Sequence, residues 1–224
     1  MKDYAYPEML VSTEWVHQHK SDSNVVLVEV DVDTASYDEG HIPGAAGWNW
    51  QTQLCDTKQR DVISKQDVER LLGETGISNN TTIILYGDNN NWFAAWALWQ
   101  LKMYGHKDVR IMNGGRTKWL EEGREVTKGL PAVKRESYNA TDRDDSLRTY
   151  LYQAMKEMNA SDTVMVDVRS PDEYTGKILS PPGLPETCQR GGHIPGAKSI
   201  PWAQACNEDG TFKTKEELET LYAS

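Results

Sequence analysis

The chain has 224 residues, enough for one large domain or two of medium size, and its 38% hydrophobic content is sufficient for a packed core. Lysine and arginine total 24 against 34 aspartate and glutamate, so the net charge of -10 disfavours nucleic acid and anionic membranes as partners. No apolar stretch approaches the roughly 20 residues that span a bilayer, and the start lacks the apolar core of a signal peptide, which predicts a cytoplasmic protein.

Strands and helices are predicted to alternate through the first half. The segment at 25–30 consists almost entirely of β-branched and other apolar residues, and such runs are typical of strands in a parallel sheet that is covered on both faces. The predicted order is a helix from residue 12, a strand at 25–30, a helix from 64, a strand at 81–86, a helix at 92–104, a strand at 109–112 and a helix from 116. This alternation predicts an α/β fold with a mainly parallel sheet flanked by helices.

A polar loop, Gly87 to Asn91, lies between a predicted strand and the helix that begins at Trp92. Ligands of such sheets usually bind at this point, where backbone N-H groups and the helix dipole favour an anion and would lower the pKa of a cysteine. The loop has no cysteine. We therefore expect it to be catalytically silent, with Asp88 and the three asparagines capping the following helix.

The hexapeptide GHIPGA occurs twice, at residues 40–45 and 192–197, each time after a β-branched run that ends in an acid. Residues 214–221 also repeat residues 64–71 at an offset of 150, including the capping pair. The sequence therefore predicts two domains from one ancestor, at 1–125 and 147–224, joined by a polar linker at 126–146. A loop rich in proline and glycine, 175–190, is inserted before the second hexapeptide.

The doubled hexapeptide, the strand ending Asp167-Val168-Arg169, the insert and the turn that begins at Asn113 together resemble the rhodanese family, most closely its two-domain thiosulfate sulfurtransferases. The resemblance implies tandem rhodanese-like domains, of which the first is non-catalytic. The second carries a nucleophilic cysteine that takes the sulfane sulfur of thiosulfate as a persulfide and passes it to cyanide or another thiophilic acceptor. It implies no metal and no organic cofactor.

Adding the offset of 150 residues to Gly87, where the loop of the first half begins, places the catalytic loop at about position 237, roughly a dozen residues past Ser224. We therefore expect an incomplete second domain, no catalytic residue within this chain, and no activity. The resemblance implies that Asp167 and Arg169 brace the loop and that Glu173 faces its mouth. A strand-end ion pair would equally explain Asp167 and Arg169. Some relatives place an arginine near Glu173, and a carboxylate there would repel thiosulfate.

The remaining histidines and cysteines favour structural roles. His41 and His193 occur in both copies, which favours a role in the turn. Cys188 lies in the insert but neither follows a strand nor begins a helix, and Cys55 and Cys206 are weaker candidates still. The three cysteines are widely spaced without a CxxC, and the pair His17 and His19 has no metal-binding partner, so neither disulfides nor zinc are predicted.

Three other functions remain open from the sequence. The sulfur donor could be 3-mercaptopyruvate, or the protein could be a non-catalytic rhodanese-like module that binds partners or anions. A phosphatase with a cysteine and an arginine in a longer loop is a third class, against which the short loop of the first half argues. A cysteine about a dozen residues beyond codon 224 would favour the enzymes.

Overall fold

The structure is a computed structural model that describes residues 3–59, 61–158, 160–183 and 189–223. The chain divides into two compact units. The first comprises Met1–Leu147 with Glu208–Phe212, and the second comprises Arg148–Asn207 with Lys213–Ser224. Within the described residues, no helix has the length and apolar character needed to cross a membrane.

The first unit is built on a five-stranded sheet in which every strand pair is parallel, in the order β1-β5-β4-β2-β3. Its strands are β1 Leu10–Val11, β2 Val25–Asp31, β3 Ala46–Asn49, β4 Thr82–Tyr86 and β5 Val109–Met112. Its helices are α1 Thr13–His19, α2 Ala35–Glu39, α3 Trp50–Gln53, α4 Lys65–Glu74, α5 Trp92–Met103 and α6 Gly115–Glu121. The predicted α/β architecture is confirmed.

Alternate residues of the central strands enter two separate hydrophobic cores, as a two-sided sheet requires. Ile83 and Leu85 belong to one core, which also takes in residues of α4 and α5. Ile84 and Tyr86 belong to the other, with residues of α1 and α6. All five residues of β4 are buried, so this strand and its neighbour β2 set the position of the loops that follow them.

Segment 126–146, predicted as a linker, packs against the first unit. Thr127 pairs with His41 in an isolated β-bridge, and the backbone N-H of Asp144 donates to the carbonyl of Met103 (2.9 Å). Tyr138 and Ala140 are buried in the core beside α4 and α5. These two apolar side chains attach the segment to the core of the first unit.

The second unit contains α7 Leu151–Glu157, β6 Val166–Asp167, α8 Pro171–Thr175, β7 Lys198–Ser199 and α9 Lys215–Tyr222. Strands β6 and β7 form a two-stranded parallel sheet. The strand predicted over 163–168 is therefore shorter than expected. Val164 is 71% exposed, and a strand with neither a neighbour nor cover loses the packing that stabilises it.

The two copies of the repeat have the same strand register. In the first unit Val28 pairs with Ala46, the residue after the hexapeptide. In the second unit Val166 pairs with Lys198, again the residue after the hexapeptide. The helices α4 and α9 also begin alike, since the side chains of Ser64 and Thr214 each accept a hydrogen bond from the backbone N-H three residues on. The predicted duplication is confirmed in local structure.

Candidate functional site at the strand ends

The carboxyl end of β6 is held by a bidentate ion pair. The Arg169 guanidinium donates to both carboxylate oxygens of Asp167, at 3.0 and 2.6 Å, and to the carbonyl of Gly192 at 2.8 Å. Hydrogen bonding from Arg169 holds the pKa of the Asp167 carboxyl below its usual range. The strand end is thereby fastened to the first residue of the second hexapeptide, so the two predicted bracing residues lie together.

Glu173 is buried, with 7% of its surface exposed, and its carboxylate is committed to the start of α8. Its Oε2 accepts hydrogen bonds from the backbone N-H of Ser170 (3.1 Å) and from the Ser170 hydroxyl (2.7 Å). The Ser170 hydroxyl in turn accepts from the Glu173 N-H at 3.3 Å, which completes a capping box. The signal for this contact was present in the sequence as Ser-Pro-Asp-Glu, although the resemblance directed attention to a substrate role.

The histidine of each hexapeptide stacks on a tyrosine. His41 lies over Tyr37 and His193 over Tyr174, with ring centroids 3.7 Å apart in both pairs. Each histidine Nδ1 is also hydrogen-bonded to the carbonyl of that tyrosine, at 2.9 and 2.8 Å. The same arrangement in both copies agrees with the structural role predicted for these histidines.

Neither described cysteine has the surroundings of a nucleophile. Cys55 follows α3 and forms an isolated bridge with Val62. Cys206 follows a short 3-10 turn and lines a cavity of about 600 Å³ with Lys213 and Glu217. Burial raises the pKa of the Cys206 thiol, which disfavours the reactive thiolate. Cys188 lies outside the described residues.

The loop Gly87–Asn91 of the first unit uses its side chains to join strands. Asn91 Oδ1 accepts a hydrogen bond from the Gly87 N-H (3.0 Å), and its Nδ2 donates to the carbonyl of Met112 (2.9 Å). Asn91 is the N-cap of α5 but makes no side-chain capping bond, and neither does Asp88 at the preceding 3-10 turn. The predicted capping role is wrong. The Asn91 side chain bonds to Gly87 and to Met112 of β5, and Asp88 Oδ2 accepts a hydrogen bond from Ser36 of α2.

Two acids of β2, which the sequence analysis missed, lie beside this loop. Glu29 is 1% exposed and pairs with Arg116 at 2.9 Å, and Arg116 also donates to the Gly40 carbonyl. Asp31 is 2% exposed, and its Oδ1 accepts from the Asp88 N-H at 2.7 Å. Burial raises the pKa of both carboxyls, that of Asp31 to about 8. Two acids spaced by two in a buried β-branched run were the available signal.

Within the part of the chain that the structure describes, no group of three or more histidine, cysteine, aspartate or glutamate side chains is arranged to hold a metal ion. The acids of the first unit therefore form no such metal cluster.

Comparison with known proteins identifies the family to which both halves of the chain are similar. A family model described as Rhodanese-like domain matches residues 12–122 and 150–222. A Haloferax volcanii protein, named provisionally as a thiosulfate sulfurtransferase, is 50% identical over 99% of this chain and 78% of its own length. A Thermus thermophilus protein named Sulfur carrier protein TtuD is also 50% identical, over 98% of this chain and 78% of its own length.

A solved structure shares the fold at low sequence identity. SseA from Escherichia coli, described with the 3-mercaptopyruvate sulfotransferases, superposes with a TM-score of 0.82 at 21% identity. The match covers 96% of this chain and 82% of that one. At this identity the likeness establishes the fold.

Proposed function

Because the chain belongs to the rhodanese family, whose sulfurtransferases it resembles over nearly its whole length, we propose that it serves the transfer of sulfane sulfur from thiosulfate to cyanide or another thiophilic acceptor. The proposal rests mainly on one observation, the strand end in the second copy of the repeat. There Asp167 and Arg169 fasten the end of β6 to Gly192, the place where the first copy has the buried acids Glu29 and Asp31. The protein names of two relatives at 50% identity point the same way.

The chemistry needs one thiolate and no redox partner. The thiolate attacks the outer sulfur of thiosulfate, the sulfur-sulfur bond breaks, and sulfite leaves with the bonding electron pair. The acceptor then attacks the outer sulfur of the resulting persulfide, and the thiolate is released again. Loop N-H groups and a helix start would stabilise both the thiolate and its anionic substrate.

We propose that the nucleophilic cysteine lies outside residues 1–224, about a dozen residues beyond Ser224, and that the chain as written has no turnover. Cys55 and Cys206 do not stand between a strand and a helix start, which supports this placement. The equivalent loop in the first unit follows β4, which pairs with β2. The cysteine loop would accordingly follow a strand beside β6.

In this proposal Asp167 and Arg169 are positioning residues. Their ion pair fixes the end of β6 against the second hexapeptide, from which the neighbouring loop would take its position. Glu173 would lie near the mouth of the site and, through its capping box, hold α8 in place. Its negative charge would act against a dianion more strongly than against a monoanion.

That carboxylate favours a second candidate donor, 3-mercaptopyruvate, which carries a single carboxylate charge. The fold shared with SseA is compatible with this donor. The acceptor could then be a protein thiolate as readily as cyanide, as the name of the Thermus relative suggests for that protein.

The test compares the two donors on the product of the whole reading frame. Steady-state kcat/KM is measured with thiosulfate and with 3-mercaptopyruvate, using cyanide as acceptor, for the natural sequence and for Glu173→Gln. Glutamine keeps an acceptor for the capping box and removes the charge. We expect thiosulfate kcat/KM to rise roughly two- to fivefold, corresponding to about 0.5 to 1 kcal/mol for one screened charge.

The matched control is Asp172→Asn, a half-exposed acid on the same helix. It should leave the ratio of the two donors unchanged. Turnover with neither donor would refute sulfur transfer itself. Turnover with a donor ratio that Glu173→Gln does not change would refute only the role of Glu173.

A further inference from the structure

The ends of β2 and β4 bring together three carboxyl groups with unsatisfied oxygens. Glu29 Oε2, Asp31 Oδ2 and Asp88 Oδ1 are buried and have no hydrogen-bond partner among the residues that the structure describes. Two of the three side chains, Glu29 and Asp31, are at least 98% buried. A buried carboxylate without a partner is costly, so a group in this position tends to take up a proton.

The positive charge near the cluster is directed to Glu29. Arg116 of α6 pairs with it at 2.9 Å, and Tyr86 of β4 and His41 of the hexapeptide also act on this carboxyl, lowering its pKa against the effect of burial. These three groups come from different elements and all face the same carboxyl.

Asp31 is surrounded by negative groups instead. The charged groups that act on it are Asp88, from the loop after β4, and Glu29 on its own strand. The two residues are in contact, because the Asp88 N-H donates to Asp31 Oδ1 at 2.7 Å. From α2, the Ser36 hydroxyl lies 3.4 Å from the other oxygen of Asp88. Two like charges this close to each other in a buried site disfavour ionisation of both carboxyl groups, so one of them tends to keep a proton.

We propose that Asp31 holds a proton at neutral pH and shares it with the Asp88 carboxylate, and that this proton latches the loop Gly87–Asn91 to β2. Above mildly alkaline pH the proton leaves, two neighbouring buried carboxylates repel each other, and the loop opens. The raised pKa of Asp31, about 8, agrees with this arrangement.

The loop is built so that a small repulsion would open it. Asn89, Asn90 and Asn91 all have left-handed backbone conformations, with φ of 44°, 54° and 64°. Such conformations cost energy and persist when surrounding contacts enforce them. Gly87 is pressed so closely against β2 that a Cβ built on it would lie 2.6 Å from Asp31 Oδ1. Loss of the proton acts directly on the contacts that hold the strained residues.

The first test detects the proton itself on the full chain. Infrared spectra are recorded between pH 5 and pH 10 for the natural sequence, for Asp31→Asn and for Glu39→Gln. The natural sequence should show a protonated-carboxyl band at pH 7 that disappears around pH 8. Asp31→Asn should lack it. Glu39→Gln, which changes an exposed acid next to Gly40, should retain it.

The second test measures the latch by amide hydrogen exchange of residues 87–92, corrected for intrinsic rates. In the natural sequence, protection should fall by up to about tenfold for each pH unit between about pH 4 and pH 8, because opening releases the Asp31 proton over that range, and it should level off above pH 8. Asp31→Asn should show no such fall. If Asp31→Asn does not fold, Asp88→Asn serves, since removal of the like charge should move loss of the band to lower pH.

Three results would overturn the proposal. These are the absence of a protonated-carboxyl band at pH 7, a band that persists in Asp31→Asn, and loop protection that is independent of pH in the natural sequence.

Discussion

The ends of β2 and β6 occupy equivalent places in the duplicated frame but carry different charges. Glu29 and Asp167 have the same register relative to their hexapeptides, and two residues later the first copy has Asp31 where the second has Arg169. In the first unit the guanidinium that reaches the hexapeptide carbonyl comes from Arg116 of α6, and in the second it comes from the strand end itself. The two copies therefore share the backbone register but carry charges of opposite sign at the second position, Asp31 in one and Arg169 in the other. An acidic strand end disfavours an anionic donor, and a paired acid and arginine do not.

The largest expected effect is at the arginine that neutralises Glu29. Arg116→Met should lower the free energy of unfolding of the first unit by about 3 to 5 kcal/mol, because it leaves a buried carboxylate without its partner. Denaturant unfolding checks this, and Glu29→Gln in the same chain should recover part of the loss. Arg70→Met, which breaks an exposed ion pair with Asp67, is the control and should cost less than about 1 kcal/mol. Equal losses in both variants would contradict the comparison.

The histidines of the two hexapeptides differ in burial. His41 is 1% exposed, and its ring nitrogens contact the carbonyls of Tyr37 and Gly129, whereas His193 is exposed. His41→Ala should therefore cost about 2 to 3 kcal/mol of stability, and His193→Ala less than about 1. Thermal unfolding followed in each unit measures the difference. A loss at His193 equal to or larger than the loss at His41 would contradict the argument from burial.

The ion pair of the second unit should be worth less than that of the first. Arg169→Met removes a bidentate bond that is partly open to solvent, with 31% of the Arg169 side chain exposed, so we expect a loss of about 1 kcal/mol. Hydrogen exchange of residues 166–168 and 192–194 should increase together. Increased exchange at only one of these segments would show that Arg169 does not join them.

The effect that distinguishes the copies most clearly is the sign of their pH dependence. The raised pKa of Asp31 means that its contribution is complete below its unfolded pKa near 4 and is lost as pH rises toward about 8. The lowered pKa of Asp167 means that its contribution is present above pH 4 and is lost as pH falls below that value. Exchange measured at both strand ends from pH 3 to pH 9 should show opposite trends. Parallel trends would contradict this difference in charge between the copies.

Local features of the fold could be predicted from the sequence. The β-branched run at 25–30 forms β2, and the Ser64 and Asp67 pair begins α4 as expected. The doubled hexapeptide predicted the duplicated register. These features depend on near neighbours in the chain, so their signals are read within a few residues.

The features that sequence reasoning missed depend on distant partners. Asp31 meets a loop residue 57 positions away, and Arg116 reaches Glu29 across 87 positions. Asn91, predicted to cap a helix, bonds to Met112 on another strand. For such residues the amino-acid type shows which interactions are possible, but only the three-dimensional structure shows which partner is used. Glu173 is different, because its capping-box partner Ser170 is only three residues away and the signal was local.

The most direct test of the proposed function is the intact mass of the protein after incubation with thiosulfate. Transfer to a cysteine adds one sulfur, about 32 Da, and the adduct can be located by peptide mapping. We expect no stable adduct on the chain of residues 1–224, and one adduct on the loop cysteine of a chain extended by its reading frame. An adduct on Cys55, Cys188 or Cys206 of the 224-residue chain, with turnover that is lost when that cysteine is changed to serine, would contradict the account.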